Sequence, residues 1–217
     1  MTWHGFVRLS VVTLAMIALS ACGPLVELPG GGDPASLYTL SPARPIALAT
    51  AFPDATLMIE EPETSAAYDS KGIALMPEAR ELRYYAGAKW VDRAPRMFQT
   101  LLITAFEESG AFRDVGPPSM TLAADYRLHT ALRAFNADYQ ESAAPTVRVT
   151  IHAKLFGARP LNLLGSTRID VEEPAGSDRM TDIVAAFDRA AQRAMTDIIT
   201  WTVSTLETPR DHQTTAP

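Results

Sequence analysis

The chain has 217 residues, 25 of them acidic and 19 basic, for a formal net charge of −6 at pH 7. That balance argues against general nucleic-acid binding, which needs a basic footprint. A single cysteine excludes an intrachain disulfide and any paired-cysteine metal or redox motif.

In chain order, the first element is an apolar run from Leu9 to Leu19, preceded by His4 and Arg8. It has signal-peptide length and is too short to span a bilayer. It ends in Leu19-Ser20-Ala21-Cys22: a branched apolar residue, two small residues and a cysteine, the pattern of a lipobox. Residues 1–21 therefore read as a lipoprotein signal peptide and Cys22 as the lipidation site. The small residues leave the backbone extended and open to a signal peptidase, and the thiol then takes up a diacylglycerol. Each buried methylene adds about 0.8 kcal/mol, so multiple acyl chains hold a protein on a membrane almost permanently. The alternative is a plain secretory signal with a cysteine at its cleavage site. By resemblance to Gram-negative lipoproteins, Gly23 rather than aspartate after the cysteine favours sorting to the outer membrane. Removing residues 1–21 from 217 leaves 196, which suits one domain.

Residues 22–36 contain Pro24, Pro29, Pro34 and Gly30-Gly31-Gly32 and read as a flexible tether. The folded body is expected over 37–206, and the polar stretch 207–217 as a disordered tail. Strand candidates are Leu37–Leu40, Leu57–Glu60 (stopped by Pro62), Gly72–Met76 and Glu81–Tyr85, the last two separated by Pro77. A helix follows, with Asp92 as N-cap and Pro95 in the first turn, where its missing N–H costs nothing. Phe98, Leu101, Leu102, Ala105 and Phe106 form its apolar face, and Gly110 stops it.

Two long strands come next. Leu122, Ala124, Tyr126, Leu128 and Leu132 fall on one face of the first; Asp125, Arg127, His129 and Arg133 fall on the other. In the second, Val147, Val149, Ile151, Ala153 and Leu155 oppose Arg148, Thr150, His152 and Lys154. Such alternation signals half-buried antiparallel strands joined by a long loop over 136–145. A third strand is predicted over Ser166–Glu172. The last element is a helix over about 178–206, capped by Ser177 or Asp178, with Met180, Ile183, Val184, Phe187, Ala191, Ala194, Met195 and Ile198 as its buried stripe. Trp201 extends that stripe. The sum is an α+β domain: an antiparallel or mixed sheet with two amphipathic helices packed on one face.

Several segments together resemble a known family. They are Tyr38-Thr39-Leu40, Tyr68-Asp69-Ser70-Lys71-Gly72-Ile73, Glu81 to Trp90, Asp125-Tyr126-Arg127-Leu128 ending at Phe135, and Ala185 to Trp201. In order and spacing they are similar to the ABC-type transport auxiliary lipoproteins, the PqiC-like family. Glu60-Glu61 departs from it, since the family's strand there is usually more apolar. The resemblance implies a non-catalytic subunit of a transporter built from an ATPase, a permease and an MCE-domain protein. Such systems move lipids between the inner and outer membranes. The subunit would sit lipid-anchored at the outer membrane, face the periplasm and touch the MCE component. Homo-oligomerisation stays open, and no cofactor or catalytic residue carries over. The other functions considered are a periplasmic lipid-binding carrier, a lipopolysaccharide-assembly lipoprotein and, last, a hydrolase.

The residues bear on these readings directly. The chain has no G-x-S-x-G elbow, P-loop or H-E-x-x-H. If the two long strands pair about residue 140 or 141, His129 and His152 face each other, with Asp125 or Asp170 nearby. The plain reading is two solvated side chains, because the spacing fixes no third metal ligand. Arg127, Arg133, Arg148 and Lys154, with Arg168 beyond them, gather on the polar strand face of an acidic chain. Like charges placed opposite each other disfavour strand pairing. That cluster is therefore a candidate partner-binding face, for an acidic partner or lipid head groups, and ordinary surface charge is the alternative. Trp90, Phe98, Phe106, Phe187 and Trp201 are most simply core residues.

Overall fold

Alternating apolar residues in the two long strands build the centre of the sheet. In the computed structural model the described residues are 34–121, 123–139 and 143–208. The chain divides into Met1–Pro34 and Ala35–Pro217, and the second unit is the one described here. The expected signal peptide, Cys22, most of the tether, Leu122 and residues 209–217 lie outside the described residues.

The elements in order are β1 (Ser36–Tyr38), β2 (Phe52–Ile59), β3 (Glu63–Thr64), β4 (Gly72–Glu78), β5 (Glu81–Trp90), α1 (Ala94–Ser109), β6 (Phe112–Gly116), β7 (Tyr126–Asp138), β8 (Thr146–Ala158), β9 (Leu161–Pro174) and α2 (Met180–Glu207). β7 is the spine of one nine-stranded mixed sheet. Along one edge it pairs antiparallel with β8, from Tyr126↔Gly157 to Asp138↔Thr146. Along the other edge three short strands pair with it in parallel, end to end: β2 at Tyr126–Leu128, β3 at Ala131–Leu132 and β4 at Asn136–Asp138. β6 flanks β2, β5 flanks β4, and β1 flanks β5. β9 pairs with β8 on the far side.

The fold is α+β with a mixed sheet, as the patterning predicts. Leu128, Leu132, Phe135, Val149, Ile151 and Leu155 point to one side and are almost fully buried. They share a single core with Phe98, Leu102 and Phe106 of α1 and Ile183, Phe187, Met195 and Ile198 of α2. At its centre the rings of Trp90, Phe135 and Phe187 lie 5.1 to 5.8 Å apart, centroid to centroid. The offset and edge-on geometries suit the ring quadrupoles. Trp201 stands at the margin, partly buried against this core.

Boundaries differ from expectation for local reasons. β4 runs through Pro77, where the pairing with β5 shifts register between Leu75 and Glu78, so the missing N–H falls at an irregularity. Arg93, not Asp92, is the N-cap of α1; the Asp92 carboxylate instead accepts the Arg93 N–H at 2.8 Å. Gly110 ends the helix as predicted, in the left-handed region at φ 63°. Arg179 takes the N-cap position of α2. Ser177 Oγ still accepts the Arg179 N–H at 3.2 Å, whereas Asp178 accepts from the Tyr139 hydroxyl. Tyr139 in turn meets the Tyr85 hydroxyl at 2.8 Å, tying β5 to the approach of α2. Burial and this hydroxyl partner hold the Tyr85 pKa far above the usual tyrosine value. β7 starts later than predicted and ends later, which shortens the loop to 139–145. β8 and β9 reach further than predicted and meet at a turn of two residues, Arg159 and Pro160.

Candidate functional site

Alternation that buries one face of β7, β8 and β9 places their polar residues on the other, which carries no helix. Register then decides which of them meet. His129 lies opposite Lys154, and His152 opposite Ala131. The two histidines therefore do not face each other as pairing about residue 140 or 141 would have it; the strands pair one step further along. Arg127 lies opposite Phe156, and Asn136 opposite Arg148. Across β8, Phe156 meets Leu163, Lys154 meets Ser166, His152 meets Arg168, Thr150 meets Asp170 and Arg148 meets Glu172.

The face divides into two ends. At the end near Asp138 the charges neutralise one another. Arg148 Nη2 is 3.0 Å from Glu172 Oε1 and 3.7 Å from Asp138 Oδ2. Arg168 donates twice to the Asp170 carboxylate, at 2.5 and 2.9 Å, and Thr150 Oγ1 donates to it at 2.8 Å. The Arg168 guanidinium, helped by Thr150, holds the Asp170 carboxyl below the usual carboxylate range. The Tyr68 hydroxyl donates to Asn136 Oδ1 at 3.0 Å, closing this end further.

The opposite end is open. A cavity of about 280 Å³ is lined by Glu60, Arg127, His129, Lys154, Phe156 and Leu161. His129 Nδ1 is 3.0 Å from Glu60 Oε2, and its Nε2 is 3.6 Å from Glu63 Oε2. Among the described residues Arg127 and Lys154 have no ion-pair partner, and Arg127 Nε is buried without a hydrogen-bond acceptor. Leu161 and Leu163, just past the turn, are 68% and 54% exposed.

Of the four predicted basic residues, the structure brings together Arg127 and Lys154. Arg148 belongs to the neutralised end, six residues and about 20 Å along β8 at strand rise. Arg133 is the extra residue of a bulge between Leu132 and Ala134 and is exposed there. Sequence reasoning missed Glu60 and Glu63 as partners of His129, and Phe156 and Leu161 as the apolar wall. One signal was available for Glu60: Glu60-Glu61 breaks the apolar pattern of its strand. Glu61 has a different task, an ion pair with Arg93 at 2.7 Å, and Arg93 also binds Asp69. Among the described residues no group of three His, Cys, Asp or Glu is placed to hold a metal ion. No helix among them is long and apolar enough to cross a membrane.

The geometry offers anion recognition beside an apolar rim, and comparison with other proteins gives it context. The model of the family described as ABC-type transport auxiliary lipoprotein component matches residues 38–199. Protein bll6063 of Bradyrhizobium diazoefficiens is 28% identical over 186 residues, covering 82% of this chain and 48% of that protein. The chain thus spans about half the length of that curated relative. The crystal structure of protein XCC0632 from Xanthomonas campestris, of family DUF330, superposes with a TM-score of 0.75 at 26% identity, covering 80% of this chain and 97% of that one. The hypothetical protein CT253 from Chlamydia trachomatis shares the fold, with a TM-score of 0.51 at 9% identity over 71% of this chain and 98% of that one.

Proposed function

Because the chain belongs to the ABC-type transport auxiliary lipoprotein component family, we propose that it is a non-catalytic, lipid-anchored docking subunit of an MCE-type ABC transport system. In this reading Cys22 carries the anchor, residues 22–36 are the tether and residues 37–206 form the docking domain. The domain holds the MCE-domain protein at the periplasmic face of the outer membrane, and the permease and ATPase complete a path for lipids between the membranes. The observation that carries the reading is the extent of the family match, which runs from β1 through most of α2. The packing agrees with it. The large aromatic residues that could have lined a carrier's cavity instead meet ring to ring in the core. Recognition chemistry is left to the surface.

The test is crosslinking of the anchored chain in cells, capture, and identification of what is joined to it, alongside membrane fractionation. Capture of an MCE-domain protein from the outer-membrane fraction is expected. The Cys22→Ala chain should lose both its membrane fraction and most transport activity. Full transport by the Cys22→Ala chain, or capture without any MCE-domain protein, would overturn the reading.

A further inference from the structure

The cavity at the open end of β7, β8 and β9 has no task in a docking role, yet its chemistry is specific. Arg127 and Lys154 are diagonal neighbours across the β7–β8 pair, on the same face. Such neighbours lie about 7–8 Å apart, so one anion can touch both side chains. The arginines further along the sheet are satisfied, Arg148 by Glu172 and Arg168 by Asp170, whereas Arg127 and Lys154 pair with nothing among the described residues. A buried guanidinium N–H without an acceptor carries an unmet desolvation cost, and Arg127 Nε is such a group. A phosphate in the cavity would pair with the Arg127 guanidinium and the Lys154 ammonium, the usual phosphate-binding groups.

Glu60 also lines the cavity. Its Oε2 is engaged by His129 at 3.0 Å, and Glu63 stands at the other ring nitrogen, 3.6 Å away. Both carboxylates pair with the imidazole, and neither forms an ion pair with Arg127 or Lys154. The rest of the wall is apolar. Phe156 and Leu161 line the cavity, and Leu163, the register partner of Phe156, stands beside them. Leu161 and Leu163 expose more than half their surface at the hairpin turn, next to the exposed Arg159. A free inorganic anion would make no use of such a rim. The cavity volume of about 280 Å³ falls just below the usual range of ligand sites, about 300–1,000 Å³. That size fits a head group and leaves acyl chains outside.

The geometry points to a binding site for the phosphate head group of an anionic lipid, with Arg127 and Lys154 on the phosphate and Leu161 and Leu163 against the start of the acyl chains. The inference rests on the anchored reading, which places the domain within reach of a membrane surface.

The test uses the full lipidated chain in nanodiscs of either phosphatidylglycerol or phosphatidylcholine, with a benzophenone side chain substituted at Leu161. Anchoring gives both nanodiscs the same local lipid concentration, so the ratio of lipid photoproducts isolates head-group recognition. A several-fold higher yield in phosphatidylglycerol is expected. Arg127→Gln and Lys154→Gln should each lower it by about fivefold, the scale of one cation near an anionic surface. In a chain labelled at Leu163 instead, Leu161→Ser should lower the yield in both lipids alike. Equal yields in the two lipids, or full yield from the double Gln variant, would overturn the proposal. So would loss of the photoproduct to excess inorganic phosphate, which would reassign the site to a free anion. A photoproduct that forms only with an acidic protein partner would overturn it as well. Failure of the chain to enter nanodiscs at all would count against the anchor, and loss of MCE capture against docking; neither resembles a failed lipid preference.

Discussion

The two faces of β7, β8 and β9 are made by alternate residues of the same strands, yet they are held by different physics. On the helix-covered face, Leu128, Val149, Ile151 and Leu155 are at most 1% exposed and meet α2 in one close-packed core. On the other face, the arginines are held by carboxylates at one end, while at the other Arg127 and Lys154 have no ion-pair partner among the described residues. Removing a residue from the first face opens a cavity in dense packing, whereas removing one from the second returns a group to water. Stability should therefore follow the first face and recognition the second.

Four variants sharpen or break that contrast. The largest effect is expected from Phe187→Ala. Phe187 is fully buried, with its ring 5.2 Å from Trp90 and 5.1 Å from Phe135. Loss of about 3–5 kcal/mol is expected in urea unfolding. A loss below about 1 kcal/mol would mean that the core collapses around the gap and is not closely packed. Next is Gly165→Val, at a bulge where β9 passes under α2. A β-carbon there would stand 2.9 Å from Thr205 Cγ2 and 3.4 Å from the Trp201 ring. Overpacking of this kind costs about 1–3 kcal/mol, and the Trp201 fluorescence should shift with it. Unchanged fluorescence and stability would show that α2 yields freely over β9.

A smaller effect, dependent on pH, is expected at the neutralised end. The Arg168 guanidinium depresses the folded-state pKa of Asp170. A depressed carboxylate adds stability above its unfolded pKa of about 3.9 and loses it as pH falls through the lower, folded value. The side chain is 48% exposed, so the contribution stays within the surface range of about 0–1 kcal/mol. Asp170→Asn should be less stable than the parent at neutral pH and equal to it in strong acid. A deficit of constant size across that range would assign the effect to packing instead. Smallest of all, Arg127→Gln with Lys154→Gln should change the unfolding free energy measured in urea by no more than about 0.5 kcal/mol. Destabilisation well beyond that would make the cavity part of the scaffold and weaken its case as a binding site.

The same contrast explains what could be read from sequence. Alternation along 126–135 and 147–155 fixes which residues turn inward, so the core, the fold class and both helices are legible. Alternation says nothing of register. The step that puts His129 against Lys154, and not against His152, depends on the length of a loop and on the bulge at Arg133. β6 was missed because five residues with charged Arg113 and Asp114 in the middle carry too little pattern. The cavity was half visible: its cations stood out in an acidic chain, but Glu60 and Glu63 come from a segment some seventy residues earlier.

The division of the β7 edges also sets an order of assembly. β8 reaches β7, and β9 reaches β8, through short connections, whereas β2, β3 and β4 must close gaps of about sixty residues or more to find β7. Closing long gaps costs entropy before any contact is gained, so non-local pairing comes late. Pulse-labelled hydrogen exchange should find amides in β8 protected before those in β2, whose partners β6 and β7 are both distant in sequence. The amino-terminal half of the domain has a β4–β5 hairpin and a β2–β6 pair of its own, but β7 is the strand that joins them, and a chain cut short before β7 would leave the two pieces without their common seam.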